Sequence, residues 1–219
     1  MQKLYTCSDM VKIGCDDCKG CSSCCEGMGD TVVLNPYDVY ELTKHLQVDF
    51  KQLLEDKIEL HVEEGMILPH VKMSETTDAC VFLNEERRCS IHPFRPGLCR
   101  LFPLGRNYDS NGEMWESTGY RYFVLEDACP KAVKTKVKIE KWLGVKPLAK
   151  NEAFILDWHN FCRWFQNKLQ KLLSEGQDDY AKQLNLLVLN QFFMKSYDAN
   201  ADFYEQYDNR MKEIKGVVR

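Results

Sequence analysis

Hydrophobic positions keep two different rhythms along this chain, and the change comes near residue 150. From Glu152 to Leu173, Phe154, Trp158, Phe161, Phe165, Leu169 and Leu172 recur at steps of four, three, four, four and three. That spacing lays them along one face of an amphipathic helix. Gly176 breaks the pattern. Asp178 to Tyr197 is then apolar all round, which predicts a helix buried on most sides, and Phe203, Tyr207, Met211 and Ile214 mark a third helix. The aromatic stripe from Phe154 to Phe165 reads as core, and Cys162 within it as a buried thiol.

Ahead of that boundary the periods are short. Residues 1–14 read as a lead-in and 15–29 as a loop rich in cysteine and glycine. Thr31 to Leu34 suits a strand, and Asn35-Pro36 supplies an N-cap followed by proline at the first helical position. Asp49 is placed to cap a second short helix. Lys57 to Val62 and Met66 to Met73 read as a hairpin around Glu63-Glu64-Gly65. A smaller hairpin is expected from Cys80–Leu83 and Arg88–Ile91, and a third around Asp109-Ser110-Asn111-Gly112 between Leu104–Tyr108 and Tyr120–Leu125. The expected fold class is α+β, a cysteine-rich mixed region with short hairpins and helices, followed by a C-terminal group of amphipathic helices packed on it. Residues 1–130 are assigned to the first region and 131–219 to the second, within the same domain.

Composition narrows the partners. The 219 residues carry a formal net charge of −4, which gives no broad pull toward nucleic acid or anionic lipid. The lysines between Lys131 and Lys150 alternate with Val, Ile and Glu and read as a solvated face. No apolar run approaches the ~20 residues that cross a bilayer, and the first residues lack the apolar core of a secretory signal. The expected setting is cytoplasmic and reducing, with neither membrane nor nucleic acid as partner. Cysteine clusters in such a setting read as metal sites rather than disulfides.

The cysteines carry the chemistry. Of eleven, five fall within eleven residues, Cys15, Cys18, Cys21, Cys24 and Cys25. The residues between them are Asp, Lys, Gly and Ser, which offer no apolar face to bury. Thiolates two residues apart can aim at one centre and are strong ligands for soft metals. Cys80, Cys89, Cys99 and Cys129 follow, each beside a turn or at a strand end. Cys7 stands alone and is assigned nothing. The histidines, His45, His61, His70, His92 and His159, are scattered and form no His-Glu-x-x-His pair.

This arrangement resembles the CxxCxxCC family of zinc- or iron-chelating proteins, also called the YkgJ-like cysteine cluster proteins. The first family motif matches Cys18, Cys21, Cys24 and Cys25. The later pattern matches Cys80-x-Phe-Leu, Cys89-x-Ile and the segment from Arg95 to Pro103, and the last family cysteine matches Cys129. His92 stands where the family often has tyrosine and is read as a packing residue ahead of a ligand. The resemblance covers residues 15–130, and Cys15 is additional to it.

Spacing bears on the metal. Cys15, Cys18, Cys21 and Cys25 have the C-x₂-C-x₂-C-x₃-C spacing of bacterial ferredoxins, with Glu26 in place of the usual proline. That favours an iron–sulfur cluster of the 4Fe-4S type, with zinc as the alternative. The adjacent Cys24 and Cys25 point opposite ways in an extended segment and are expected to serve different centres, or one to stand behind the other. Arg95 and Arg100 flank Cys99 and are candidates to balance an anionic cluster, or ordinary surface ion pairs. The leading function is a metal-binding protein in a redox, sensing or accessory role. Two alternatives stand beside it. The resemblance extends to flagellin lysine N-methylases, which use S-adenosylmethionine, although a Gly-x-Gly-x-x-Gly loop after a strand is absent. Structural zinc with a helical module for a protein partner is the other.

Overall fold

The computed structural model describes residues 2–14, 21–110, 116–130 and 134–218. Cys15 and Cys18 lie outside the described residues, as does part of the turn expected at 109–112. The fold is α+β. Among the described residues it has seven helices and three two-stranded antiparallel pairs.

Local chemistry sets the first helices as the sequence predicts. Helix α1 (Pro36–Leu46) starts at a reciprocal cap, with the Asp38 N–H donating to Asn35 Oδ1 and the Asn35 N–H to Asp38 Oδ2, each at 3.0 Å. Helix α2 (Phe50–Asp56) repeats the device with Asp49 and Gln52. Such a cap is worth about 1 kcal/mol. The hairpin of β2 (Ile58–Glu63) and β3 (Met66–Val71) turns at Glu64 and Gly65, where Gly65 has a φ of +88° that a side chain rarely tolerates.

Three further helices build about half of the main core. Helix α5 (Leu148–Ser174) buries Phe154, Trp158, Phe161, Phe165 and Leu169, so the aromatic stripe is core as its spacing predicts. Helix α6 (Asp178–Leu189) runs into one π-helical turn over Asn190–Met194, and α7 (Phe203–Val217) is capped by Asp202. The turn of the β2–β3 hairpin docks on α5 and α6. Asn185 of α6 accepts from the Ile67 N–H and donates to the Gly65 carbonyl, both at 2.9 Å. Gln166 of α5 donates to the Glu63 carbonyl at 3.1 Å, and Arg163 pairs with Glu64 at 3.0 Å.

A second, smaller core lies apart in sequence. Strand β1 (Met10–Gly14) pairs with β6 (Thr135–Lys138), so the expected lead-in is structured. Val11 and Ile13 face inward against Leu101, Leu104, Tyr122, Ile139 and Leu143. Those partners come from α3 (Gly97–Leu101), β4 (Leu104–Ser110), β5 (Ser117–Val124) and α4 (Ile139–Leu143). One expected strand and one expected hairpin are reduced to bridges. Thr31–Leu34 adds to β3 through Val33 and His70 only, and Leu83 meets Cys89 in a single bridge. There Asn84 Oδ1 takes the Arg88 N–H and Arg87 adopts a φ of +57°, so turn chemistry replaces a ladder. No helix among the described residues is long and apolar enough to cross a membrane.

Candidate metal centre

Four separate pieces of chain deliver thiols to one cavity. The first is a 3₁₀ turn at Ser23–Cys25, closed by the Cys25 N–H donating to the Ser22 carbonyl at 2.7 Å. Arg87 holds this turn from outside, donating to Ser22 Oγ at 2.8 Å and to Glu26 at 2.5 Å. Glu26, which replaces the ferredoxin proline, is therefore a partner of Arg87. The second piece is zipped to the first: the Cys80 N–H donates to the Cys25 carbonyl at 2.7 Å, and the Gly27 N–H to the Asp78 carbonyl at 2.8 Å. Cys89 follows on the turn that Ser90 ties to the Phe82 carbonyl at 2.8 Å.

The third piece carries Cys99 on α3. Buried Asp38 reaches across from α1, and its Oδ1 accepts the Gly97 N–H at 2.7 Å, which fixes the start of that helix. The fourth is the turn bearing Cys129. Together Cys21, Cys24, Cys25, Cys80, Cys89, Cys99 and Cys129 line a cavity of about 60 Å³. Its remaining walls are largely apolar, among them Val32, Val71, Met73, Phe82, Ile91 and Trp142. Cys24 and Cys25 both face this space, because a 3₁₀ turn does not alternate side chains as an extended strand does. The described cysteines are free thiols. As they stand, no three His, Cys, Asp or Glu side chains among the described residues form a group that could hold an ion. The thiols line the space rather than meet at a point.

Their protonation is uneven. Cys24 and Cys89 are each lowered to about 7, first by the neighbouring Cys25 thiol and further by the Arg95 guanidinium. Cys25, set between them, is pushed up. Burial pushes Cys80 and Cys99 up. The two arginines expected near Cys99 divide. Arg95 lines the cavity, donating to the His92 carbonyl at 2.8 Å. Arg100 turns back onto the Arg95 and Pro93 carbonyls, at 2.9 and 2.7 Å, and lines a separate small pocket with Asp38 and Arg106. His92 is a wall residue held against Arg95.

Two cysteines stand elsewhere, as the sequence suggests. Cys162 packs on the main core, where burial pushes its thiol up, and Cys7 packs on the smaller core. The sequence reading missed Asp38 as the anchor of α3, Arg87 as the brace of the first turn, and Trp142 as a wall. Trp142 sits in the lysine-rich stretch, its indole N–H donating to the Phe102 carbonyl at 3.1 Å, and nothing in that stretch's spacing marks it out.

One family model, CxxCxxCC, described as "Putative zinc- or iron-chelating domain", matches residues 17–130. Neither a curated protein nor a solved structure matches the chain. The matched span is just over half of the sequence and contains every cysteine that faces the cavity. With thiols from four distant pieces gathered on one space, the chain belongs to the CxxCxxCC family of metal-chelating proteins.

Proposed function

We propose that this protein holds an iron–sulfur cluster of the 4Fe-4S type through its cysteines and serves in a redox, sensing or accessory role within a reducing, cytoplasmic setting. One observation carries the reading. Among the described residues seven thiols face a single cavity, enough for the four cysteines a cluster takes, and the ferredoxin-like spacing from Cys15 to Cys25 favours iron–sulfur over zinc. Three features of the chain fit such a group. The donors are soft sulfurs, the ligand type that iron–sulfur clusters and zinc take. Arg95 supplies a cation beside an otherwise anionic set of thiolates. The walls around the sulfurs are largely apolar, and such surroundings tune the potential of a bound centre.

The candidate ligands, of which one cluster takes four, are Cys21, Cys24, Cys25, Cys80, Cys89, Cys99 and Cys129, with Cys15 and Cys18 completing the ferredoxin-like run. When bound, the cluster would supply one-electron chemistry. Residues 1–130 are the metal-binding region in this reading. The segment from 131 to 219 supports it, with Trp142 reaching back to close a wall.

Purification without oxygen, followed by iron, sulfide and zinc analysis, tests the proposal. The expected product is brown, with iron and acid-labile sulfide. Cys21→Ser abolishes the colour, since a hydroxyl is a far poorer ligand for iron, and Cys162→Ser leaves it. Stoichiometric zinc with no sulfide and no visible absorbance overturns the cluster and leaves structural zinc in its place.

A further inference from the structure

A buried imidazole outside the cysteine cavity has one ring nitrogen without a hydrogen bond among the described residues. His70 on β3 is 0% exposed, and its Nδ1 contacts the Asp30 carbonyl oxygen. A carbonyl only accepts, so Nδ1 carries the proton and Nε2 is the remaining ring nitrogen. Nε2 is buried and has no hydrogen-bond partner among the described residues. It faces Glu63 Oε1 at 3.7 Å, beyond hydrogen-bond range. In the neutral ring that is a lone pair aimed at a carboxylate, an arrangement that calls for a positive charge between the two.

The surroundings are built for such a charge. Glu59, His61 and Glu63 alternate along β2 and so share one face, and Glu59 lies directly opposite His70 in the register. The His61 ring centre is 4.7 Å from that of His70. His61 Nε2 stands 2.9 Å from Glu59, and its Nδ1 4.0 Å from Asp30 Oδ2. An Nδ1–H fixed on a backbone carbonyl, with Nε2 left to ligate, is how metal-binding histidines are oriented.

We propose that His70 Nε2, the Glu63 carboxylate and His61 form a second cation site, taking a divalent transition metal of the zinc class. Imidazole and carboxylate suit such an ion, whereas the cysteine cavity suits softer ones. Two ligand atoms each about 2.0–2.1 Å from a tetrahedral zinc stand about 3.3 Å apart. The 3.7 Å between Nε2 and Oε1 is within a few tenths of an ångström of that. The group is not preassembled. Glu63 and His61 are partly exposed, at 41% and 34%, and His61 must release Glu59 to turn inward, while buried His70 stays fixed.

The test uses the purified protein with its cysteine-bound metal in place and quantified. Equilibrium dialysis against zinc is expected to add one ion per chain. His61→Gln and Glu63→Gln, both at partly exposed positions that leave the core intact, are each expected to weaken that ion at least tenfold without changing the metal held by cysteine. Cobalt(II) added in place of zinc is expected to show ligand-field bands without intense sulfur-to-metal charge transfer. No additional zinc, an affinity within tenfold of wild type in either variant, or sulfur charge transfer from the added cobalt would overturn the site. The first of these results would mean that a proton, rather than a metal, resides between His70 and Glu63.

Discussion

Replacing Asn185 with Ala removes the clamp that docks the β2–β3 hairpin on α6. Its amide makes two 2.9 Å bonds to backbone, one to the Ile67 N–H and one to the Gly65 carbonyl. Asn185 is itself buried, so water does not easily replace it. A buried backbone group left unpaired costs about 1–3 kcal/mol, and the partial burial of Ile67 and Gly65 points to the lower half of that range. The expected loss is therefore about 2–3 kcal/mol. With a urea slope of about 2–3 kcal/mol per molar for a chain of this size, the midpoint falls by roughly 1 M. Far-ultraviolet circular dichroism and tryptophan emission should report the same midpoint if the hairpin and helices unfold together. Asn185→Asp gives a sharper contrast. It keeps an acceptor for Ile67 but sets a carboxylate against the Gly65 carbonyl, so at neutral pH it should lose at least as much. A shift under about 0.3 M for the alanine variant, or wild-type behaviour of the aspartate variant, would refute this account of the clamp.

Arg95→Gln removes a cation that lowers Cys24 and Cys89. Because thiols must lose protons to ligate, acid should strip the metal at a higher pH in the variant, and an unchanged release midpoint counts against Arg95 as the balancing charge. Full burial raises the Asp38 carboxyl to about 6, above the usual aspartate value of about 3.9. The stability this group contributes is complete below about pH 4 and is lost as pH rises through 6, a change of about 3 kcal/mol that Asp38→Asn should abolish. A carboxyl-carbon NMR titration placing Asp38 near 4 would sink that prediction. Removing metal with a chelator should unfold the cysteine region while the helices from Glu152 onward keep their helicity longer; a melting curve untouched by chelation would make the site peripheral.

Much of the architecture is legible in the chain because its signals are local. Asn35-Pro36, Asp49 and Glu63-Glu64-Gly65 act within a few residues, and Phe154 to Leu172 repeat over enough turns to fix a helical face. What escapes is either too short or too distant. Helices α3 and α4 have five residues each, fewer than two turns, so no period can show. Strand β1 alternates correctly, but its partner lies about 120 residues on, and no local feature names it. At the candidate site the cysteine spacing points to metal, yet the gathering of Cys25, Cys80, Cys99 and Cys129 rests on backbone bonds and on Asp38, which reads as an ordinary helix-capping residue. His61 and His70 look scattered at nine residues apart; only the β2–β3 register puts their rings together.

The pairing of β1 with β6 sets an order on biosynthesis. Strand β1 leaves the ribosome early but waits for a partner about 120 residues behind it, on the order of ten seconds at ordinary translation speed. Throughout that interval the thiols from Cys21 to Cys129 emerge in turn, while the strand that ties the two ends of this segment and the wall supplied by Trp142 are still unmade. The nascent chain thus offers its sulfurs to a metal donor before the fold can shut them in. A delivery system acting during translation would meet an open receptor, and one acting afterwards a walled cavity whose thiols are only partly exposed.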